Sequence, residues 1–367
     1  MNFDYNEEQQ LLADSVRRFV QKDYEFERRK KIVASAEGTS ETVWGTFAEM
    51  GLTGIPFSPD YGGFGGGAID LLSVMEAFGE GLVVEPFLAT VGLGGRLVAR
   101  AGSDAQKKAI LPALVEGKLK LAFAHTEQGA RYDLAHVQAT AKKSRSGWAL
   151  DGDKRVVLGA PAAAKLVVSA KTPAGLSLFL VDAKAAKLKP YRTLDEMRAA
   201  DVALANTPGE LLGAEGKALP VIEEAVDFAT ALVCAEAVGA MKFSCDATLE
   251  YLKTRKQFGV PIGTFQALQH RIVDMFVAYE QAKSMAFLAC SQADSAPNAK
   301  ERARAISAAK IKIADNARLI SQEAIQLHGG MGMSEELKVS HSFRRLTMIA
   351  QQFGDADHHL ERFARSG

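Results

Sequence analysis

Between Glu7 and Asp23 the apolar residues Leu11, Leu12, Val16, Phe19 and Val20 recur at three- and four-residue spacing, the period of an amphipathic helix. The same period predicts helices over residues 40–50, 69–80, 86–101 and 105–116. The run Pro59-Asp60-Tyr61-Gly62-Gly63-Phe64-Gly65-Gly66-Gly67 interrupts it, and five glycines among its last six residues make a helix too costly there, so a loop is expected. Residues 1–118 therefore read as an N-terminal helical domain.

The pattern then shortens. Segments 121–123, 138–141, 148–150, 165–170, 177–181 and 201–204 have strand lengths and are separated by Gly, Asp, Lys or Pro. Gly147-Trp148-Ala149-Leu150-Asp151-Gly152 reads as a strand between two turns. A small antiparallel β-barrel or sandwich is expected over 119–214. From Leu219 the helical period returns in long segments, 219–256, 265–291, 298–327 and 335–353, which suit a C-terminal four-helix bundle over 215–367. The apolar faces of the first two are wider than one bundle needs internally, so self-association is expected. The fold class is α+β, mostly α.

Composition narrows the functional classes. With 44 basic and 44 acidic residues among 367, the chain has no net field to recruit nucleic acid or a membrane surface. Cys234, Cys245 and Cys290 lack metal-site spacing and read as buried thiols of a reducing cytoplasm. No apolar run reaches membrane-spanning length and the first residues are polar, so neither a span nor a signal peptide is expected. His270, His358 and His359 show no metal-ligand pattern, and no metal is expected.

The chemistry concentrates in Arg255-Lys256-Gln257-Phe258-Gly259 and, after 66 intervening residues, Gln326-Leu327-His328-Gly329-Gly330. A guanidinium, carboxamides and a Gly-Gly step suit the pyrophosphate and ribityl chain of a dinucleotide. Neither a G-x-G-x-x-G turn nor a P-loop occurs, so side chains would have to hold the nucleotide. With these motifs stand the opening Phe3-Asp4-Tyr5-Asn6-Glu7-Glu8-Gln9, Tyr61-Gly62-Gly63, Ala124-His125-Thr126-Glu127 with Gly129-Ala130, and the stretch Met331 to Asp357. In this order they resemble the acyl-CoA dehydrogenase family along the whole chain.

That resemblance implies FAD-dependent α,β-dehydrogenation of an acyl-CoA thioester, with an electron-transfer flavoprotein as electron acceptor. It implies cofactor contacts from Arg255, Gln257, Phe258, Gln266, Gln326, Gly329 and Gly330, which in the family reach a FAD lying mostly on the neighbouring subunit. The catalytic base does not carry over. One subgroup places a Glu where this chain has Phe353, and another where it has Ala229. The nearest carboxylates are Asp355, which also reads as a helix cap or turn former, and Asp357.

The flavin-ring segments have changed as well. The family's T-E-P-G-A-G-S-D is Thr126-Glu127-Gln128-Gly129-Ala130-Arg131-Tyr132-Asp133 here, and its W-I-T-N after Gly-x-Lys is Val156-Val157-Leu158-Gly159 after Gly152-Asp153-Lys154. Ala122-Phe123-Ala124-His125-Thr126-Glu127, Cys234-Ala235-Glu236-Ala237-Val238-Gly239-Ala240 and Phe353-Gly354-Asp355-Ala356-Asp357-His358-His359 resemble the small subunits of two-component enzymes assigned to pimeloyl-CoA or steroid side-chain CoA esters, and the donated contacts are preserved while the received ones are altered. The expected role is thus a partner subunit that shares FAD with a sister acyl-CoA dehydrogenase chain in a heteromer. Two alternatives stand beside it: a self-sufficient dehydrogenase using Asp355 or Asp357 as base, and a non-catalytic CoA-ester binding protein on the same fold.

Overall fold

The computed structural model describes residues 7–144 and 147–366. Phe3 to Asn6 of the opening motif lie outside the described residues. In chain order the elements are α1 (Glu7–Asp23), α2 (Phe26–Ala34), α3 (Glu41–Glu49), α4 (Ala68–Gly81), α5 (Arg96–Ala101) and α6 (Asp104–Val115). Next come strands β1 (Leu121–Ala124), β2 (Thr140–Ser144), β3 (Gly147–Leu158), β4 (Lys165–Thr172), β5 (Gly175–Asp182), β6 (Lys187–Arg192) and β7 (Arg198–Leu212). The rest is α7 (Leu219–Thr254), the small hairpin β8 (Lys256–Gln257) and β9 (Val260–Pro261), then α8 (Gln266–Ser295), α9 (Ala299–His328), α10 (Lys338–Gln351) and α11 (Ala356–Arg365). Among the described residues no helix is long and apolar enough to cross a membrane.

The period finds α1 and the long C-terminal helices but misses two short ones. Five of the nine residues of α2 are charged, too few apolar positions for a period to register, yet Ile32 and Val33 are buried. The expected four-helix bundle gains a fifth helix, α11, whose N-cap is Asp355. Elsewhere caps mark the ends the sequence suggests: Ser40 accepts from the Val43 N–H to start α3, and Ser103 and Gln106 form a reciprocal capping box on α6.

Packing groups the chain into two compact units that do not follow linear order. One, residues 7–30, 68–83 and 230–366, is helical. Within it α4 and α7 touch backbone to backbone. A Cβ on Gly79 would lie 1.8 Å from the Glu236 carbonyl oxygen, and one on Gly239 would lie 1.8 Å from that of Glu76. A buried ion pair joins α10 to α7, with Arg345 Nε and Nη2 donating to the two Glu236 carboxylate oxygens at 2.6 and 2.7 Å.

The other unit, residues 31–67 and 84–229, carries the sheet. Strands β4, β5, β7, β3 and β2 pair in sequence, and a bridge from Thr140 to Lys171 brings β2 back to β4 and closes the ring. Trp148, Leu150, Val168, Phe179 and Val202 fill its core. The barrel is not wholly antiparallel: β1 runs parallel to β4 from Leu121↔Lys165 to Ala124↔Val168, and β2 meets β4 in parallel. Side-chain alternation carries no information about strand direction, and a long connection permits either. Nor does β3 stop at Gly152. It runs on to Leu158 through register shifts at 150–152 and 154–157, with Gly152 at φ +139°, so the residue expected to turn the chain is an irregularity inside a strand.

Candidate active site

The end of α7 sets up the first motif. The Arg255 N–H donates to the Tyr251 carbonyl at 2.8 Å, closing the last turn, and the chain enters the β8–β9 hairpin. Its two turn residues, Phe258 and Gly259, both have positive φ, +52° and +81°, the pattern of a type I′ turn. Glycine adopts this freely; phenylalanine does so at a cost, and strain of that kind is concentrated at functional positions. Phe258 is 91% exposed and meets Phe265 edge-on at 6.1 Å. Gln257 Nε2 donates to the Lys256 carbonyl, and Gln266 opens α8 with no side chain capping that helix.

The second motif ends α9. Gly329 has φ +62°, a conformation suited to glycine, and a Cβ on Gly329 or Gly330 would meet nothing within 4 Å. Gln326, Gly329 and Gly330 are exposed, as are Arg255, Gln257 and Gln266. The side chains of Arg255, Gln266 and Gln326 make no hydrogen bond or ion pair among the described residues. Tyr251, four residues before Arg255, stacks on His328 of the second motif with ring centroids 4.4 Å apart. Met331 and Met333 extend the exposed surface, at 51% and 76%.

The positions expected to bear a base hold no carboxylate. Ala229 is fully buried. Phe353, at φ +61°, lies in a turn anchored by buried groups: Lys310 Nζ donates to the Gly354 carbonyl at 2.7 Å and to that of Ala350 at 3.2 Å, and His359 Nε2 sits 3.2 Å from the Phe353 carbonyl. Burial drives the Lys310 ammonium down to about 8, opposed by Cys234 and Asp355. Burial, with Lys310, His358 and Arg362 adding to it, drives His359 down to about 2 and keeps the ring neutral. Asp355 accepts the His358 N–H at 2.9 Å as the α11 cap, and Asp357 is an exposed residue of that helix's first turn.

In the β unit the motif residues build a buried polar network that the sequence reading did not find. Lys154, wholly buried, donates to Glu127 Oε1 at 2.7 Å, Ser169 Oγ at 3.0 Å and the His125 carbonyl at 3.2 Å. Glu127 also accepts the N–H groups of Gln138 and Ala139, at 2.6 and 3.1 Å, and His125 Nδ1 lies 2.9 Å from Ser169 Oγ. Burial opposes ionisation of Glu127, but Lys154 and the two N–H groups outweigh it and hold its pKa low. Burial, then the Lys154 charge, lowers His125 to about 3. The clue was a Glu beside one strand-like segment and a Lys beside another, since charges are buried only when paired.

Two positions expected to line a ring pocket have unusual backbones. Arg131 has φ +47° and lies 5.6 Å from the Tyr132 ring centroid, while Val156 has φ +51° and is 48% exposed. The Arg155 N–H donates to the Thr126 carbonyl at 2.8 Å, so β3 and the Thr126 turn are joined within this unit.

Comparison with known proteins gives matches along nearly the whole chain. Residues 6–118 match the acyl-CoA dehydrogenase N-terminal domain, 122–206 the middle domain and 216–367 the C-terminal domain. The chain is 30% identical to an L-prolyl-[peptidyl-carrier protein] dehydrogenase of Serratia over 92% of its own length and 90% of the relative's. It is 28% identical to a 3-(aryl)acrylate reductase of Clostridium sporogenes, covering 96% of each. Among solved structures, a variant of the Tcur3481-Tcur3483 steroid ACAD superposes with a TM-score of 0.89 at 29% identity, over 98% of this chain and 97% of that one. The FAD complex of PigA superposes at 0.90 and 27%, over 100% and 98%.

Proposed function

The chain belongs to the acyl-CoA dehydrogenase family, and from that premise we propose that it is the partner subunit of a heteromeric acyl-CoA dehydrogenase, lending FAD contacts to a sister chain. One observation carries the reading. Every residue matched to the family's FAD-tail contacts, Arg255, Gln257, Phe258, Gln266, Gln326, Gly329 and Gly330, is exposed on the helical unit, and neither base position holds a carboxylate.

The residues present fit one part of FAD and not the other. Arg255 offers a charged donor for the pyrophosphate, the three carboxamides offer neutral donors and acceptors, and the open faces of Gly329 and Gly330 admit close approach. In the ring half, Arg131, Tyr132 and Val156 replace the small, hydroxyl-bearing and aromatic residues expected there. Bound FAD supplies the acceptor for the hydride that leaves the substrate β-carbon. Removing the α-proton needs a base, and neither Phe353 nor Ala229 can accept a proton, so the sister chain provides that carboxylate.

Two relatives bear on the partners. The Tcur3481-Tcur3483 steroid ACAD carries two chain names, and a relative of Acetobacterium woodii, 29% identical over 93% of each chain, is a subunit of a caffeyl-CoA reductase-Etf complex. They support a two-chain enzyme acting on a bulky acyl-CoA, with an electron-transfer flavoprotein as electron partner; the dehydrogenation proposed for this chain would make that partner the acceptor. Co-expression with the genomic neighbours, purification and a count of FAD per chain tests the reading. Half occupancy in an active complex is expected. A flavin-loaded homotetramer of this chain alone, active on acyl-CoA, would overturn it.

A further inference from the structure

His328 is the middle residue of the second motif, and neither the family match nor the proposed reaction gives it a task. It is buried at the end of α9, and its Nδ1 lies 2.8 Å from the Ala324 carbonyl one turn back, so Nδ1–H donates there and fixes the ring plane. That ring lies against Tyr251 with centroids 4.4 Å apart and planes 29° from parallel. Tyr251 is itself tied to the first motif, because its carbonyl accepts the Arg255 N–H at 2.8 Å. The 329–333 turn folds back onto the same histidine: a Cβ on Gly332 would come within 2.9 Å of His328 Cβ and of the Ile325 carbonyl oxygen.

Two helix C-termini are therefore held together at one stacked pair. One turn beyond Tyr251 lies Arg255; two residues before His328 lies Gln326, and the next two after it are Gly329 and Gly330. Ends of helices fray unless something holds them, and these ends carry groups that must converge on one ligand. We infer that Tyr251 and His328 form a positioning clamp that sets the separation of Arg255 from the Gln326–Gly330 turn, and with it this chain's grip on the pyrophosphate-bearing tail of the dinucleotide. The inference rests on the half-site reading above. His328 is a positioning residue, since its buried ring acts through Tyr251 and the turn rather than on the ligand.

The test uses the co-purified two-chain complex, stripped of flavin and titrated with FAD and separately with FMN, which has the isoalloxazine ring but no dinucleotide tail. His328→Leu fills the space without stacking, and His328→Phe keeps a stacking ring. Ring pairs of this kind contribute a factor of about three to ten, so the Leu variant is expected to bind FAD that much more weakly, with FMN binding unchanged and the Phe variant close to wild type. Arg255→Ala in the His328→Leu background should cost less than in the wild-type background, because a misplaced guanidinium has less to lose.

FAD affinity in His328→Leu equal to wild type, while Arg255→Ala weakens it, overturns the clamp and leaves the half-site standing. If Arg255→Ala leaves FAD affinity untouched, the half-site reading itself fails. Equal losses for FAD and FMN would mean a general loss of structure and also reject the clamp. Should His328→Leu not assemble, Tyr251→Leu against Tyr251→Phe makes the same comparison from the other ring, with the same outcomes deciding.

Discussion

Arg255 and Asp355 show how differently two charged residues can be used. Arg255 is exposed and unpaired among the described residues, so Arg255→Ala should leave the thermal midpoint unchanged, while loss of a charged hydrogen bond to the pyrophosphate should weaken FAD in the complex roughly ten- to hundredfold. Isothermal titration of the apo complex reads this directly. Asp355 is engaged as the cap of α11, so Asp355→Ala should cost about 1 kcal/mol and Asp355→Asn only tenths, since asparagine caps as well. If Asp355→Asn also abolished turnover of the complex, Asp355 would be the base and the partner-subunit reading would be wrong. Lys154 is a third case, because its deletion strands a buried Glu127: Lys154→Ala should lower stability by about 3–5 kcal/mol in urea melts. Motif spacing singled out Arg255, Gln326 and Gly329 as candidates, but the Lys154–Glu127 pair escaped it, since burial of a charge depends on which segments come together.

Helices and strands were legible to different degrees for physical reasons. The long apolar period of α1, α7, α8 and α9 makes their existence and approximate ends plain, whereas α2 and α11 are short, charged and stabilised by what they pack on. Strand direction in the barrel was not readable, nor was the passage of β3 through Gly152. The α4–α7 crossing makes the sharpest demand on sequence at this scale. Because a methyl on Gly239 would collide with the Glu76 carbonyl, Gly239→Ala should force the helices apart and cost about 1–3 kcal/mol or more, measurable by chemical denaturation. A Gly239→Ala protein as stable as the wild type would show that the helices do not pack that closely.

At the scale of the whole molecule each compact unit contains a histidine held neutral by burial, His125 in one and His359 in the other. Both have folded pKa values, about 3 and about 2, far below the ordinary 6.5. The unfolded chain takes up protons near 6.5 and the folded chain does not, so this stabilising contribution is intact above that pH and is lost progressively as pH falls toward the folded values. Burial raises Glu76 to about 7, which opposes this trend over the same range, so the comparison is with a variant: urea midpoints should fall less steeply from pH 7.5 to pH 5 in His359→Gln than in the wild type, and equal slopes would contradict a buried neutral ring at His359. The chain sequence by itself determined the family, the helical and β segments, the cofactor class and the lack of a carboxylate at Phe353 and Ala229, because these depend on residue identity and local spacing. Only the tertiary structure decided that Arg255, Gln257, Gln266, Gln326, Gly329 and Gly330 are each exposed, that the Tyr251 and His328 rings stack, and that Asp355 is engaged as a cap. Each depends on residues distant in sequence meeting in space or on the local end of a helix, and neither is encoded in periodicity.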